Sequence, residues 1–174
     1  MRWRASWSLV VGATSLAFAA PVKASPRDWD RASSVVRTGI VSLSIGVPTA
    51  KGDWSGLKQD ALALGVTAAI TGGFKLATHE QRPDGSDDNS FPSGHTSISF
   101  AAAAGLEQRY GWELGVPAHL LAAFVGLARV KAEKHYVHDV LVGAAIGEGV
   151  GLLLVHKRHH HQNAPIAAHF LIAF

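Results

Sequence analysis

The chain has 174 residues, a formal net charge of +3, ten histidines and no cysteine. That length fits one domain, and an apolar share of 48% supplies a sizeable core. The composition excludes a disulfide scaffold, and the small positive excess suits phosphorylated or anionic ligands without pointing to nucleic acid.

The first segment, MRWRASW, carries Arg2 and Arg4 ahead of an apolar run from Leu9 to Ala20, and PVKAS follows with small residues at Val22 and Ala24. A basic start, a short apolar middle and a small-x-small exit predict a secretory signal peptide over residues 1–24, with an uncleaved anchor as the alternative. Residues 25–174 then form a single exported domain, in the periplasm or on a membrane facing it.

Helix follows helix in the remainder. Val35 to Val47 is apolar with interspersed Ser and Thr, and Pro48 is expected to end it. Lys51 to Ser55 reads as a loop, and Leu57 to Thr78 as a long helix. Arg82 to Phe91, rich in Pro, Gly, Asp, Asn and Ser, is the clearest loop. Helices are predicted from Ser93 to Arg109, from Ala118 to Lys131 and from Tyr136 to Val155, with Tyr110 to Pro117 as a connector. The tail IAAHFLIAF fits either strand or helix. The fold class is all-α, a compact bundle of about five or six helices. The helices opening at Ser93 and Ala118 are short for a span of roughly 20 residues, and Glu148 interrupts the last one. The reading therefore favours a soluble or peripheral bundle. Gly143, Gly147 and Gly151, spaced by four, let that last helix approach a neighbour closely.

Three stretches carry chemistry. In KLATHEQRP, Lys75 and Arg82 are nearly two helical turns apart, so a continuing helix points both cations to one face. An anion between them relieves their repulsion; a solvated basic face explains the same spacing. In PSGH, Ser93 caps the helix and Gly94 lets an anion approach the unpaired first amides. His95 then lies beside that anion, placed to donate a proton. An ordinary capped helix with a surface histidine is the plainer reading. In ARVKAEKHYVHDVLVG, Arg129 adds a cation and His135 and Asp139 are four apart, neighbours on a helix. A carboxylate beside an imidazole fixes its tautomer and frees the other nitrogen as base or nucleophile. A helix-stabilising pair accounts for the spacing as well. His138, about 100 degrees round, is expected to point elsewhere.

In this order the three stretches, K-x6-R-P, P-S-G-H and R-x5-H-x3-D, resemble the type 2 phosphatidic acid phosphatase (PAP2) superfamily, which includes bacterial acid phosphatases, lipid phosphate phosphatases and vanadium haloperoxidases. The likeness runs from Lys75 to about Gly147. It implies that Lys75, Arg82 and Arg129 bind phosphoryl oxygens, with Ser93 and the Gly94 amide adding hydrogen bonds. It implies that His135 attacks phosphorus, Asp139 orients His135, and His95 protonates the leaving oxygen. Ala128 departs from the pattern, where Ser is usual. The residues call for no metal and no cofactor; vanadate is expected to inhibit. His159 to His161 read as a solvated basic stretch.

The implied substrate is a phosphomonoester or diphosphate, with lipid phosphates favoured: phosphatidic acid, phosphatidylglycerophosphate, undecaprenyl diphosphate or lipid A. A soluble periplasmic acid phosphatase is the alternative. A vanadium-dependent haloperoxidase, with vanadate as its cofactor, is less favoured because those enzymes are usually much longer, and a non-catalytic phosphate-binding protein is opposed by the complete set of reactive residues. Specificity is assigned to the loops at Asp84 to Phe91 and Lys131 to Lys134. Trp29, Trp54 and Trp112 fit a membrane interface or internal packing. The sequence does not fix the oligomeric state.

Overall fold

The computed structural model describes residues 24–157. The expected signal peptide, apart from Ala24, and the histidine-rich tail lie outside them. Within them are five helices and no strand: α1 (Pro26–Ala50), α2 (Trp54–Thr78), α3 (Gly94–Tyr110), α4 (Trp112–Lys131) and α5 (Val137–Leu154).

Local chemistry explains where these helices start. Ser25 and Asp28 form a reciprocal capping box around α1, and Pro26 occupies its first turn. Both devices favour a helix start, so α1 begins nine residues before the apolar run at Val35. Pro48 does not end α1; it lies buried in the last turn, and the helix reaches Ala50. Pro48 gives up its own backbone donor and crowds the carbonyl one turn back, and only two helical residues follow it. Asp53 caps α2 and Ser93 caps α3. The largest difference from the sequence reading is α4. Gly111, at φ 87, turns the chain in one residue, and α4 opens at Trp112 with Pro117 inside it. The expected connector is thus mostly helix.

The helices run alternately up and down, and α3 is the central one, touching the other four. Its Ala101–Ala104 and Leu106 are buried, with Ile40 of α1 and Ala118, Ala122 and Val125 of α4 around them. The glycine series on α5 lies against α3. A Cβ at Gly147 would stand 2.0 Å from the Ser97 carbonyl oxygen, and one at Gly143 2.7 Å from that of Ser93. Glycine is therefore what lets the two backbones touch.

One end of the bundle is pinned by Asp53. It accepts hydrogen bonds from Arg109 (2.6 Å at Nε) and the Tyr110 hydroxyl (3.0 Å), and Arg109 also donates to the His156 carbonyl (3.0 Å). The residues of the three motifs gather at the opposite end.

Three helices, α2, α4 and α5, are long and apolar enough to cross a membrane. With its start at Trp112, α4 reaches 20 residues, which the shorter segment from Ala118 did not. Leu62, Leu76, Leu120, Leu141 and Leu153 are all exposed on these helices.

Candidate active site

A cavity of about 370 Å³ opens at the end of the bundle where α2 and α4 finish and α3 and α5 begin. Its walls are Asp30, Ser34, Lys75, Arg82, Gly94, His95, Arg129, Lys134 and His135. Six of the eight sequence-predicted residues thus line one space, although 60 residues separate Lys75 from His135.

Lys75 stands in the last turn of α2, and its ammonium donates to the carbonyl oxygens of Asn89 and Ser90 (3.2 Å for Ser90). Arg82 is fixed in the loop by an ion pair to Asp87 (2.9 Å). Arg129, in the last turn of α4, is buried and pairs with Asp30 of α1. These cations and Lys134 face a single carboxylate of the lining, Asp30, so the cavity favours an anion.

α3 points its first turn at the same space. Its leading amides have no intrahelical partner and carry partial positive charge. Gly94 keeps the approach open: a Cβ there would meet Thr71 at 3.7 Å and Lys75 at 4.0 Å, ordinary contacts. Packing therefore does not demand this glycine. Ser93 sits differently from its expected role. It is fully buried outside the cavity wall, and its hydroxyl is engaged with Thr96 (Oγ1 2.9 Å, amide 3.4 Å). It builds the helix start and does not face the cavity.

His135 stands just before α5, buried, with its Nδ1 3.4 Å from Oδ2 of the fully buried Asp139. Asp139 Oδ2 also accepts from Ser90 Oγ (2.5 Å) and from the Tyr136 amide (2.9 Å). With Nδ1 turned to the carboxylate, Nε2 is the nitrogen left for the cavity. His95 Nε2 is 3.2 Å from Ser34 Oγ. Burial, then Arg129 and Arg37, lower the His95 pKa to about 3. Burial and the cations Arg129 and Lys75 also lower that of His135, against the pull of Asp139. Both rings are therefore neutral at pH 7.

Sequence reasoning missed Asp30, Ser34 and Ser90. α1 holds the first two, and no spacing links α1 to the three motifs. Ser34 supplies a hydroxyl to a cavity in which Ala128 supplies none. His138 stays out of the cavity wall, as expected, and its Nε2 is 3.0 Å from Asp139 Oδ1. Of the two entrance lysines, Lys134 lines the cavity and Lys131 is exposed outside it.

The family model described as PAP2 superfamily matches residues 59–162. The chain is 38% identical over 101 residues to a lipid A 1-phosphatase of Porphyromonas gingivalis, covering 56% of this chain and 22% of that protein. It is 30% identical over 130 residues to a lipid A 4'-phosphatase of Helicobacter pylori, covering 68% and 63%. The chain thus spans less than two thirds of either relative. The crystal structure of Aquifex aeolicus LpxE superposes with a TM-score of 0.63 at 21% identity, over 74% of this chain and 83% of that one, which is a likeness of fold.

Proposed function

The chain belongs to the PAP2 superfamily, and on that premise we propose that it is a membrane-embedded lipid phosphatase of the lipid A class, working through a phosphohistidine. The observation that carries this reading is the single cavity in which His95 and His135 stand among Lys75, Arg82 and Arg129.

The chemistry follows from the side chains. The cations and the first amides of α3 hold the phosphoryl oxygens, where transition-state charge is spread. Neutral His135 attacks phosphorus through Nε2, and Asp139 steadies the positive charge that develops on the ring. The bond from phosphorus to the leaving oxygen breaks, and His95 gives that oxygen its proton. Water then attacks the phosphohistidine, His95 takes its proton, and phosphate leaves. His95 is neutral in the free chain because burial and cations hold it so. A bound phosphate offsets those cations, so the acid gains its proton together with the substrate. No step calls for a metal ion.

The lipid part of the reading rests on the names of the relatives and on the three long apolar helices. Trp54 and Trp112, both exposed, stand at the end opposite the cavity, where aromatic residues mark a membrane interface. Beside the cavity lies a cleft of about 420 Å³ that shares Asp30 and Lys134 with it and adds Arg27, Asp84 and Glu133. Its mixed polar lining fits a hydroxyl-bearing headgroup.

The test is phosphate release by the full chain in detergent with EDTA, using lipid A, phosphatidic acid, undecaprenyl diphosphate and an aryl phosphate, with His135→Ala as control. Release from lipid A ahead of the others is expected, with competitive inhibition by vanadate. Preference for the aryl ester would shift the reading to a soluble-type acid phosphatase. Full activity in His135→Ala, or total loss in EDTA, would overturn the mechanism.

A further inference from the structure

Asp139 has two oxygens in different circumstances. Oδ2 receives Ser90, the Tyr136 amide and His135. Oδ1 is buried and has no aligned hydrogen-bond donor. An ionised buried oxygen without a donor is costly. The nearest donor is His138, whose Nε2 lies 3.0 Å away. That same Nε2 is hydrogen-bonded to Glu80 Oε1 at 2.9 Å, from the segment just after α2. A ring nitrogen facing two carboxylate oxygens must carry a hydrogen, because a lone pair there would face two anions. The ring is also held flat. It stacks on Tyr136 at 5.4 Å and 8°, and the Phe91 ring lies 5.9 Å from it, tilted by 32°.

We propose that His138 is a positioning residue for the His135–Asp139 pair: its Nε2–H, hydrogen-bonded to Glu80, sits 3.0 Å from Asp139 Oδ1, holds that oxygen by charge attraction and so keeps Oδ2 on His135. The order is Glu80, His138, Asp139, His135, with only the last facing phosphorus. Without that donor, Asp139 is free to turn its unpaired oxygen to Ser90, the Tyr136 amide or His135. The tautomer of His135 then loses its fixed partner. Glu80 and His138 lie outside the cavity wall, so their effect is expected on kcat more than on KM. The catalytic consequence rests on the phosphatase reading above; the effect on the His135 ring does not.

The experiment compares the full chain in detergent with His138→Leu and His138→Gln, each alone and combined with Asp139→Ala. Glutamine keeps an N–H donor near the place of Nε2, and leucine does not. Two readouts are taken: kcat and KM for the lipid substrate, and ring nitrogen NMR of His135. Leucine is expected to lower kcat about tenfold with KM changed less than about twofold, and glutamine to recover most of the loss. In the Asp139→Ala background the leucine change is expected to cost less than about twofold, because the residue acts through Asp139. The NMR should show a proton fixed on Nδ1 of His135 in the parent and the glutamine variant, and a tautomer mixture with leucine. An unchanged kcat, an equal loss in both backgrounds, or an unchanged His135 tautomer would overturn the proposal. A parent chain that releases no phosphate refutes the phosphatase reading instead, and the ring spectra still decide the role of His138.

Discussion

Single side chains separate binding from chemistry at this site. His135→Ala is expected to abolish phosphate release, and Asp139→Asn to lower it about a hundredfold or more with the helical circular dichroism intact. Gly94→Ala asks a different question. Its Cβ would find ordinary contacts at 3.7 and 4.0 Å, so the fold should hold. The methyl would stand in the anion's approach to the α3 amides, and KM should rise about tenfold, with kcat changed less. Ionisation gives a third test. His95 and His135 are held neutral when folded but bind a proton near pH 6.5 when unfolded. The unfolded chain takes up more protons as pH falls, so stability is full above about pH 6.5 and is lost on the way down to about pH 3. Thermal melting followed from pH 7 to 4.5 should show the midpoint falling. Vanadate should raise the midpoint throughout, since it binds only the folded chain.

Helix pairs set where those side chains stand. The α3–α5 contact is the tightest, because glycines on one helix meet alanines and bare carbonyls on the other. A Cβ on Gly147 would be 2.0 Å from the Ser97 carbonyl and 2.9 Å from the Ala101 amide nitrogen. Neither atom is on a side chain that can swing away, so α3 must shift. Gly147→Ala should cost about 1–3 kcal/mol in a denaturant titration. It should also lower turnover, since α3 carries His95 and α5 begins beside His135. At the other end, Asp53 ties α2 to α3 through Arg109, whose side chain is 7% exposed. Arg109 holds the Asp53 carboxyl well below the usual carboxylate range. That contribution is present above about pH 3.8 and is lost as pH falls further. Asp53→Ala leaves a buried guanidinium unpaired and should cost about 3 kcal/mol. Activity per folded molecule should change little, because the cavity is a bundle length away.

As a whole, the molecule places a cation-lined cavity at one end of a bundle whose flanks are largely apolar. On a membrane reading, the cavity meets the headgroup layer while α2, α4 and α5 face acyl chains. The chain should then sediment with membranes through a high-salt wash and leave them only with detergent. Extraction by salt alone would indicate a docked bundle. The sequence by itself determined the helical class, the starts of α3 and α5, and the six residues from three motifs that meet in the cavity. These are local matters: apolar periodicity, a Ser or Gly at a helix end, and spacing along one chain segment. It misjudged the length of α4, because a proline near a helix start can be tolerated and only the surrounding bundle shows that it is. The family resemblance implied that Ser93 meets the phosphate; it caps α3 instead, with its hydroxyl engaged by Thr96. Only the tertiary structure brought Asp30 and Ser34 of α1 to Arg129 and His95, and Glu80 to His138. Those contacts join segments distant in sequence, and their geometry is set by how closely glycine and alanine let the helices pack.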